Sequence, residues 1–324
     1  MFYYLGLDIG GSYLKLGLLN EEGQLLTAEE RAHANVLSAD HIVAEIDNMI
    51  VAMLRNAQLS VQDVRALGVG VPGYVDNETG WILNTNNLPF HLFPLRDSLN
   101  SLPGIPIYLA NDANLAALAE SRSGAGRSCN FMLMITLGTG IGGGIIINGD
   151  LYEGYNGAAS ELGHHVIRLG GEKCTCGRRG CYEVYASATA LKRITAKAAR
   201  ENPKSGLAGL IAEHGGVVTG KTAFMARDFG DEIAAAVIAE YTTNVAEGCA
   251  NLVNILMPEL IVLGGGISQA GEDFLAEVAA KVYELIYLPP LCTRPTFALA
   301  ELGNEAGVIG AAFYAMDCLN KGAK

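Results

Sequence analysis

Positive charge is what this chain has least of. It carries 22 lysines and arginines against 34 aspartates and glutamates, a formal net charge of −12. That balance argues against a nucleic-acid partner, which needs a basic face to neutralise phosphates. Long apolar runs are absent too, so no membrane-spanning helix is expected. The opening residues, MFYYLGLDIGG, lack the basic n-region of a secretory signal. Only 17% of the 324 residues are charged while half are hydrophobic, enough for a large core in two domains or one large one. Cysteine is sparse, and four of the seven, Cys129, Cys249, Cys292 and Cys318, are scattered in apolar surroundings. They read as reduced and mostly buried thiols, and the expected compartment is the cytoplasm.

The other three cysteines are concentrated. Residues 161–183 read ELGHHVIRLGGEKCTCGRRGCYE. His164 with Cys174, Cys176 and Cys181 offers one nitrogen and three sulfurs, the Cys3His set of a closed tetrahedral zinc site. The alternative is a disulfide with a spare thiol, and two cysteines one residue apart bridge poorly. Glu161 and Glu183 place a carboxylate at each end of the loop.

The forty glycines cluster at turns. Apolar strands are predicted over 3–7, 13–19 and 24–29, with a turn Asp8-Ile9-Gly10-Gly11-Ser12 after the first. A helix follows over 39–55, with Ile42, Ile46, Met49, Ile50 and Met53 on one face. A buried strand at 66–71 closes on Pro72-Gly73, residues 76–96 are polar and turn-rich, and a strand at 106–110 runs into Asn111-Asp112 and a helix to about 121. The pattern restarts at 130–137, with Gly138-Thr139-Gly140-Ile141-Gly142-Gly143-Gly144 and a strand at 145–148. Helices are expected at 186–200, 231–256, 271–287 and 305–319, and strands at 260–263 and 296–302, the former ending in Gly264-Gly265-Gly266-Ile267-Ser268. Strand, glycine turn, strand, hairpin, strand thus occurs twice, which implies a duplicated α/β unit.

A glycine turn between strands exposes backbone N–H groups that can receive phosphate oxygens. A tight hairpin is the plain alternative for any one of the three turns; two in register within a duplication favour phosphate. Neither a Walker A sequence nor a dinucleotide fingerprint opening a helix is present. Asp8, at the mouth of the first turn, either holds Mg²⁺ through water or caps the turn. Asp112 is either a helix N-cap or a general base that takes the proton of a sugar hydroxyl during phosphoryl transfer. Asn87, Asn111, Glu161, His164 and Glu183 are suited to holding several hydroxyls, although Asn87 can equally be an ordinary loop residue. His165 reads as a packing residue, and His33, His41, His91 and His214 as surface residues.

Taken together, DIGGS (8–12), GVPGYVD (70–76), NDAN (111–114), LGTGIGGG (137–144), ELGH (161–164), CTCGRRGCYE (174–183) and LGGGIS (263–268) resemble the ROK family of repressors and sugar kinases, over nearly the whole chain. The resemblance implies an actin-like, ribonuclease-H-like ATPase fold: two α/β lobes around a cleft, from a duplicated βββαβαβα unit. The expected lobes are residues 1–121, with the helix at 305–324 packed back, and residues 122–304, with the zinc-binding insertion. The implied activity is ATP-dependent phosphorylation of a hexose, first glucose, with N-acetylmannosamine, N-acetylglucosamine, fructose or allose as rivals. Mg²⁺-ATP and a structural Zn²⁺ are the implied cofactors, and a homodimer or homotetramer the implied assembly. By the same resemblance Asp112 is the catalytic base, while Gly73, Asn87, Asn111, Glu161, His164 and Glu183 contact the sugar. Asp8, Gly10, Gly11, Ser12 and Lys15, with Gly138, Thr139 and Gly140, surround the phosphates; Gly265 and Gly266 border the adenosine. His164 would use one ring nitrogen on zinc and the other on the sugar. Ser12 stands where Thr is frequent, and Phe90-His91 where many glucokinases have Gly-Trp. Relatives that repress transcription carry a winged helix-turn-helix ahead of this body; with DIGGS starting at residue 8, no room for one is expected. A non-catalytic sugar-binding protein is disfavoured by the presence of Asp112.

Overall fold

A computed structural model describes residues 2–33, 38–85, 87–289 and 291–322. The strands are β1 (Tyr3–Ile9), β2 (Tyr13–Asn20), β3 (Leu25–Ala32), β4 (Val64–Val71), β5 (Tyr74–Asp76), β6 (Trp81–Asn84), β7 (His91–Phe93), β8 (Ile107–Asn111), β9 (Phe131–Leu137), β10 (Ile141–Ile147), β11 (Asp150–Leu151), β12 (Leu260–Gly264) and β13 (Thr296–Leu299). The helices are α1 (Ala39–Asn56), α2 (Leu95–Ser98), α3 (Asp112–Ser123), α4 (Glu183–Ala186), α5 (Ala188–Glu201), α6 (Gly206–Glu213), α7 (Thr222–Asp228), α8 (Glu232–Leu256), α9 (Glu272–Leu285) and α10 (Ala306–Gly322).

Two five-stranded sheets have the orders β3-β2-β1-β4-β8 and β11-β10-β9-β12-β13. Counted within each repeat, both read third, second, first, fourth, fifth, so the duplication inferred from the glycine turns is present in the topology. The chain forms two compact units. Unit 1 holds Met1–Arg127, Gly144–Ser160 and Leu302–Lys324; unit 2 holds Ser128–Gly143 and Glu161–Glu301. Residues 144–160 therefore group with unit 1 although they adjoin unit 2 in sequence.

In unit 1 the alternation of β1 buries Leu5, Leu7 and Ile9 against Ile42, Ile46, Met49 and Ile50 of α1. That helix starts at Ser38, whose hydroxyl accepts the N–H of His41. The other sheet face carries α10. Gly17, Gly6 and Gly68 lie side by side across β2, β1 and β4. A Cβ on Gly6 or Gly68 would run into the carbonyl oxygen of Val308 or Ala311 of α10. This glycine row lets the helix backbone lie directly on the sheet.

In unit 2, α8 starts at Asp231, which caps the N–H of Ala234, and ends at Met257 in a left-handed conformation. Its Tyr241 lies parallel to Phe274 of α9 at 6.0 Å between centroids. Among the described residues no helix is long and apolar enough to cross a membrane.

The elements depart from the sequence reading in several places, and the second glycine turn, read over 138–144, ends at Gly140 because β10 already begins at Ile141. Residues 76–96 are not simply turns: β5, β6 and β7 form a separate antiparallel sheet whose strands of three or four residues are too short to show a period. Helices α6 and α7 were not foreseen, because glycines at 206, 209, 215, 216 and 220 mask their pattern. The strand expected over 296–302 stops at Leu299.

Candidate active site

Unit 1 carries the first glycine turn. Between β1 and β2, the N–H of Gly10 donates to the carbonyl of Tyr13 at 3.0 Å. Asp8 stands two residues before the turn, on the face of β1 opposite Leu7 and Ile9. Its carboxylate packs against Gly307 of α10, where an added Cβ would come within 2.5 Å of Oδ2. Burial pushes the Asp8 carboxyl up to about 6; the carboxylate of Asp112 adds to the rise and the ammonium of Lys15 opposes it. Lys15 also pairs with Glu30 at 3.1 Å.

β8 delivers Asn111 and Asp112 to the start of α3. The two readings of Asp112 separate here, because the cap is Asn111. Its Oδ1 accepts the N–H groups of Ala113 at 2.9 Å and Asn114 at 3.3 Å, while its Nδ2 donates to the carbonyl of Gly73 at 3.3 Å. Asp112 is the first helical residue and also accepts from Ala113, at 2.9 Å. Burial raises its pKa, opposed by that N–H. Gly73 has φ of +134°, and a Cβ on it would strike the carbonyl oxygen of Asn84, so the turn between β4 and β5 meets β6 there only through glycine. Asn87 lies close to the first turn: a Cβ on Gly11 would be 4.0 Å from its Cβ. Thr85, which sequence reasoning missed, fixes this loop by donating its hydroxyl to the carbonyls of Leu88 at 2.7 Å and Phe90 at 3.1 Å. Phe90 is buried in the core against Phe93, whereas His91 is exposed.

One histidine expected at the surface is not there. His33 is buried at 8% exposure, its Nε2 lies 2.7 Å from the carbonyl of Gly10, and its N–H donates to the carbonyl of Ser12. It backs the first glycine turn; nothing in its sequence context shows this, because β3 must first fold against β2. His41, His91 and His214 are exposed as expected, and His165 packs on Tyr182. Of the scattered cysteines, Cys249 is buried but Cys292 is exposed, since it lies in a proline-flanked turn rather than an element.

Unit 2 holds the second turn, the third turn and the cysteine loop. The loop is a knuckle: Cys174 N–H donates to the carbonyl of Arg178, and Gly177 N–H to that of Cys174. The ligand atoms of His164, Cys174, Cys176 and Cys181 all lie within 4.8 Å of one another. His164 Nδ1 is 3.7 Å from the sulfur of Cys174, and the sulfurs of Cys176 and Cys181 are 3.6 Å apart. Zn–S bonds of about 2.3 Å set tetrahedral S···S edges of about 3.8 Å, so the cluster has the size of a zinc site. Because Nδ1 faces the thiols, Nε2 of His164 is the nitrogen left for another ligand. Glu161 immediately precedes the short 3₁₀ turn that presents His164.

Glu183 does more than terminate the loop: its Oε2 accepts the N–H of Ile141 at 2.9 Å, at the exit of the second turn. The third turn packs beside the second. Gly265 has φ of +80°, and its Cβ would fall 2.7 Å from the main chain of Leu137. Gly266 lines a cavity of about 210 Å³ with Lys221, Phe224, Arg227 and Gln269. Three of those residues come from α7 or its N-terminal edge, which is why the sequence reading did not reach them.

Two repeats of a five-stranded mixed sheet, each opened by a glycine turn, define an actin-like, ribonuclease-H-like ATPase fold. The chain belongs to the ROK family, whose model matches residues 4–317. It is 39% identical to the glucokinase of Halalkalibacterium halodurans over 309 residues, covering 95% of this chain and 93% of that protein. The structure of a ROK family glucokinase from Streptomyces griseus, in complex with glucose and AMPPNP, is similar with a TM-score of 0.81 at 33% identity, covering 97% of this chain and 99% of that one. A ROK hexokinase from Thermus thermophilus gives a TM-score of 0.83 at 30% identity, covering 99% and 100%.

Proposed function

We propose that this protein is an ATP-dependent hexose kinase that converts glucose to glucose 6-phosphate. The observation that carries the reading is Asp112: a partly buried carboxyl at the start of a helix, with the capping duty taken by Asn111 and its pKa raised by burial. A base displaced upward from the usual carboxylate range is better matched to a hydroxyl proton near neutral pH. In the reaction the sugar hydroxyl oxygen bonds to the γ-phosphorus, its proton passes to Asp112, the bond to the β-phosphate bridging oxygen breaks, and ADP leaves.

The remaining roles follow the family resemblance. Gly73, Asn87, Asn111, Glu161, His164 and Glu183 are assigned to the sugar. Asp8, Gly10, Gly11, Ser12 and Lys15, with Gly138, Thr139 and Gly140, are assigned to the phosphates, and Gly265 and Gly266 to the adenosine. Magnesium entering with ATP would neutralise phosphate charge; Asp8 fits it through water, because its carboxyl, raised mainly by burial and further by the carboxylate of Asp112, would be relieved by a cation. Zinc on His164, Cys174, Cys176 and Cys181 would supply rigidity without reactivity, since four protein ligands leave no open position. A cytoplasmic homodimer or homotetramer is the matching setting.

The decisive experiment is an ADP-release assay with Mg²⁺-ATP and a panel of hexoses and N-acetylhexosamines. Glucose is expected to give the highest kcat/KM; turnover with N-acetylmannosamine but not glucose overturns the substrate, and no turnover overturns the kinase. Asp112→Asn should lower kcat by roughly 10²–10⁴-fold while sugar binding is retained.

A further inference from the structure

The second glycine turn is held from behind by the segment that leaves the cysteine loop, and its polar groups can be accounted for one by one. Gly138 N–H donates to the carbonyl of Gly140 at 3.0 Å. The carbonyl of Gly138 accepts the N–H of Ala188, the first residue of α5, at 2.8 Å. The carbonyl of Thr139 accepts the hydroxyl of Thr189, the second residue of α5, at 2.7 Å. Ile141 N–H goes to Glu183. Among the described residues, that leaves two adjacent donors in the turn without a partner, the N–H groups of Thr139 and Gly140.

Peptide planarity links these facts. The carbonyl of Gly138 and the N–H of Thr139 belong to one rigid plane and point in opposite directions; so do the carbonyl of Thr139 and the N–H of Gly140. Fixing the two carbonyls from the α5 side therefore turns both N–H groups toward the opposite side, as a two-pronged anion nest. The first plane is fixed by backbone, which any residue at 188 except proline supplies. The second is fixed by a side chain. Ser187, whose hydroxyl accepts the N–H of Ala190 at 3.1 Å, holds the start of α5 in place for both contacts.

We propose that Thr189 is a positioning residue for the nucleotide's phosphates: its hydroxyl sets the plane of the peptide between Thr139 and Gly140 so that the Gly140 N–H faces a phosphate oxygen. Thr189 does not touch the phosphate itself; it acts through that peptide. The proposal rests on the reading that the second turn binds phosphate.

The test compares Thr189→Val and Thr189→Ser with wild type by calorimetric titration of adenosine, ADP and AMPPNP, together with KM for ATP, KM for glucose and thermal midpoint. Wild type should bind ADP more tightly than adenosine. Thr189→Val should weaken ADP and AMPPNP about fivefold, the loss of one hydrogen bond, raise KM for ATP to match, and leave adenosine affinity and KM for glucose unchanged. Thr189→Ser should restore wild-type values. If wild type shows phosphate-dependent affinity and Thr189→Val keeps it in full, or loses adenosine, glucose and thermal midpoint together, Thr189 has no positioning role and the phosphate reading of the turn stands. If wild type binds ADP no better than adenosine, the reading of the turn falls and the proposal with it.

Discussion

The two glycine turns share a place in the topology and differ in chemistry. Three residues connect β1 to β2 (Gly10, Gly11, Ser12) and three connect β9 to β10 (Gly138, Thr139, Gly140), each closed by a hydrogen bond at 3.0 Å. Two residues before each turn, however, stand Asp8 in unit 1 and Thr136 in unit 2. Asp8 brings a buried carboxyl to its turn. Thr136 brings a neutral hydroxyl, which accepts the N–H of Gly142 at 3.2 Å. The supports differ too: the imidazole of His33 backs the first turn, while Glu183, Ala188 and Thr189 back the second. Duplication supplied the strand–glycine turn–strand element twice; the side chains around it put a carboxyl at one turn and a neutral hydroxyl at the other.

The largest expected break in this comparison comes from the cysteine loop, because only the second turn depends on it. Cys176→Ser, or prolonged chelation of the wild type, should lower the thermal midpoint by many degrees, since structural zinc binding is folding free energy on the order of 10 kcal/mol in small zinc domains. KM for glucose and for ATP should rise together, through Glu183. Zinc-depleted protein that melts normally and binds both ligands normally would remove the loop from its role as anchor of the second turn.

Next in size is Asp8. Its carboxyl is raised from 3.8 to about 6 in the folded chain, so the ionised form is disfavoured by folding. The cost is complete above about pH 6, where both states are ionised, shrinks as pH falls toward 4, and is gone below that. Asp8→Asn should therefore stabilise the protein, free of nucleotide and magnesium, by up to about 3 kcal/mol at pH 8 and by no more than about 0.5 kcal/mol at pH 4, read from urea unfolding. The same variant should lose about a hundredfold in kcat. Equal stability of variant and wild type at pH 8 would contradict the burial of that charge. The corresponding change in unit 2, Thr136→Val, should show no such pH dependence.

Much of this was legible in the sequence. Asp8, Asp112 and both turns are local patterns, each readable in a few residues, the cysteine loop is readable within residues 161–183, and the repeat of the strand pattern exposed the duplication. What escaped depends on non-local pairing. His33 reaches the Gly10 carbonyl only once β3 pairs with β2. Thr85 looks like any loop threonine until it is seen spanning to Leu88 and Phe90. Thr189 is an exposed residue at a helix start with nothing in its neighbours to mark it, and its meaning lies fifty residues away, at Thr139. The strands of the small third sheet are too short to carry a period at all.

The smallest effect is also the one that sharpens the comparison most. A carbonyl can only accept, so His33 donates from Nε2 to Gly10, from a buried position. His33→Leu removes that donor and leaves a partly buried carbonyl without its partner, which should cost about 1 kcal/mol or more in urea unfolding. Thr189 is exposed, so water replaces its hydroxyl when valine is introduced, and stability should change by less than about 0.5 kcal/mol. Both variants should raise KM for ATP by single-digit factors. The first turn is therefore held by the core of its unit and the second by a surface hydroxyl: one clamp serves stability and binding, the other binding alone. Comparable stability losses in the two variants would erase that distinction, because the hydroxyl of Thr189 would then be part of the fold rather than an adjustment of the turn.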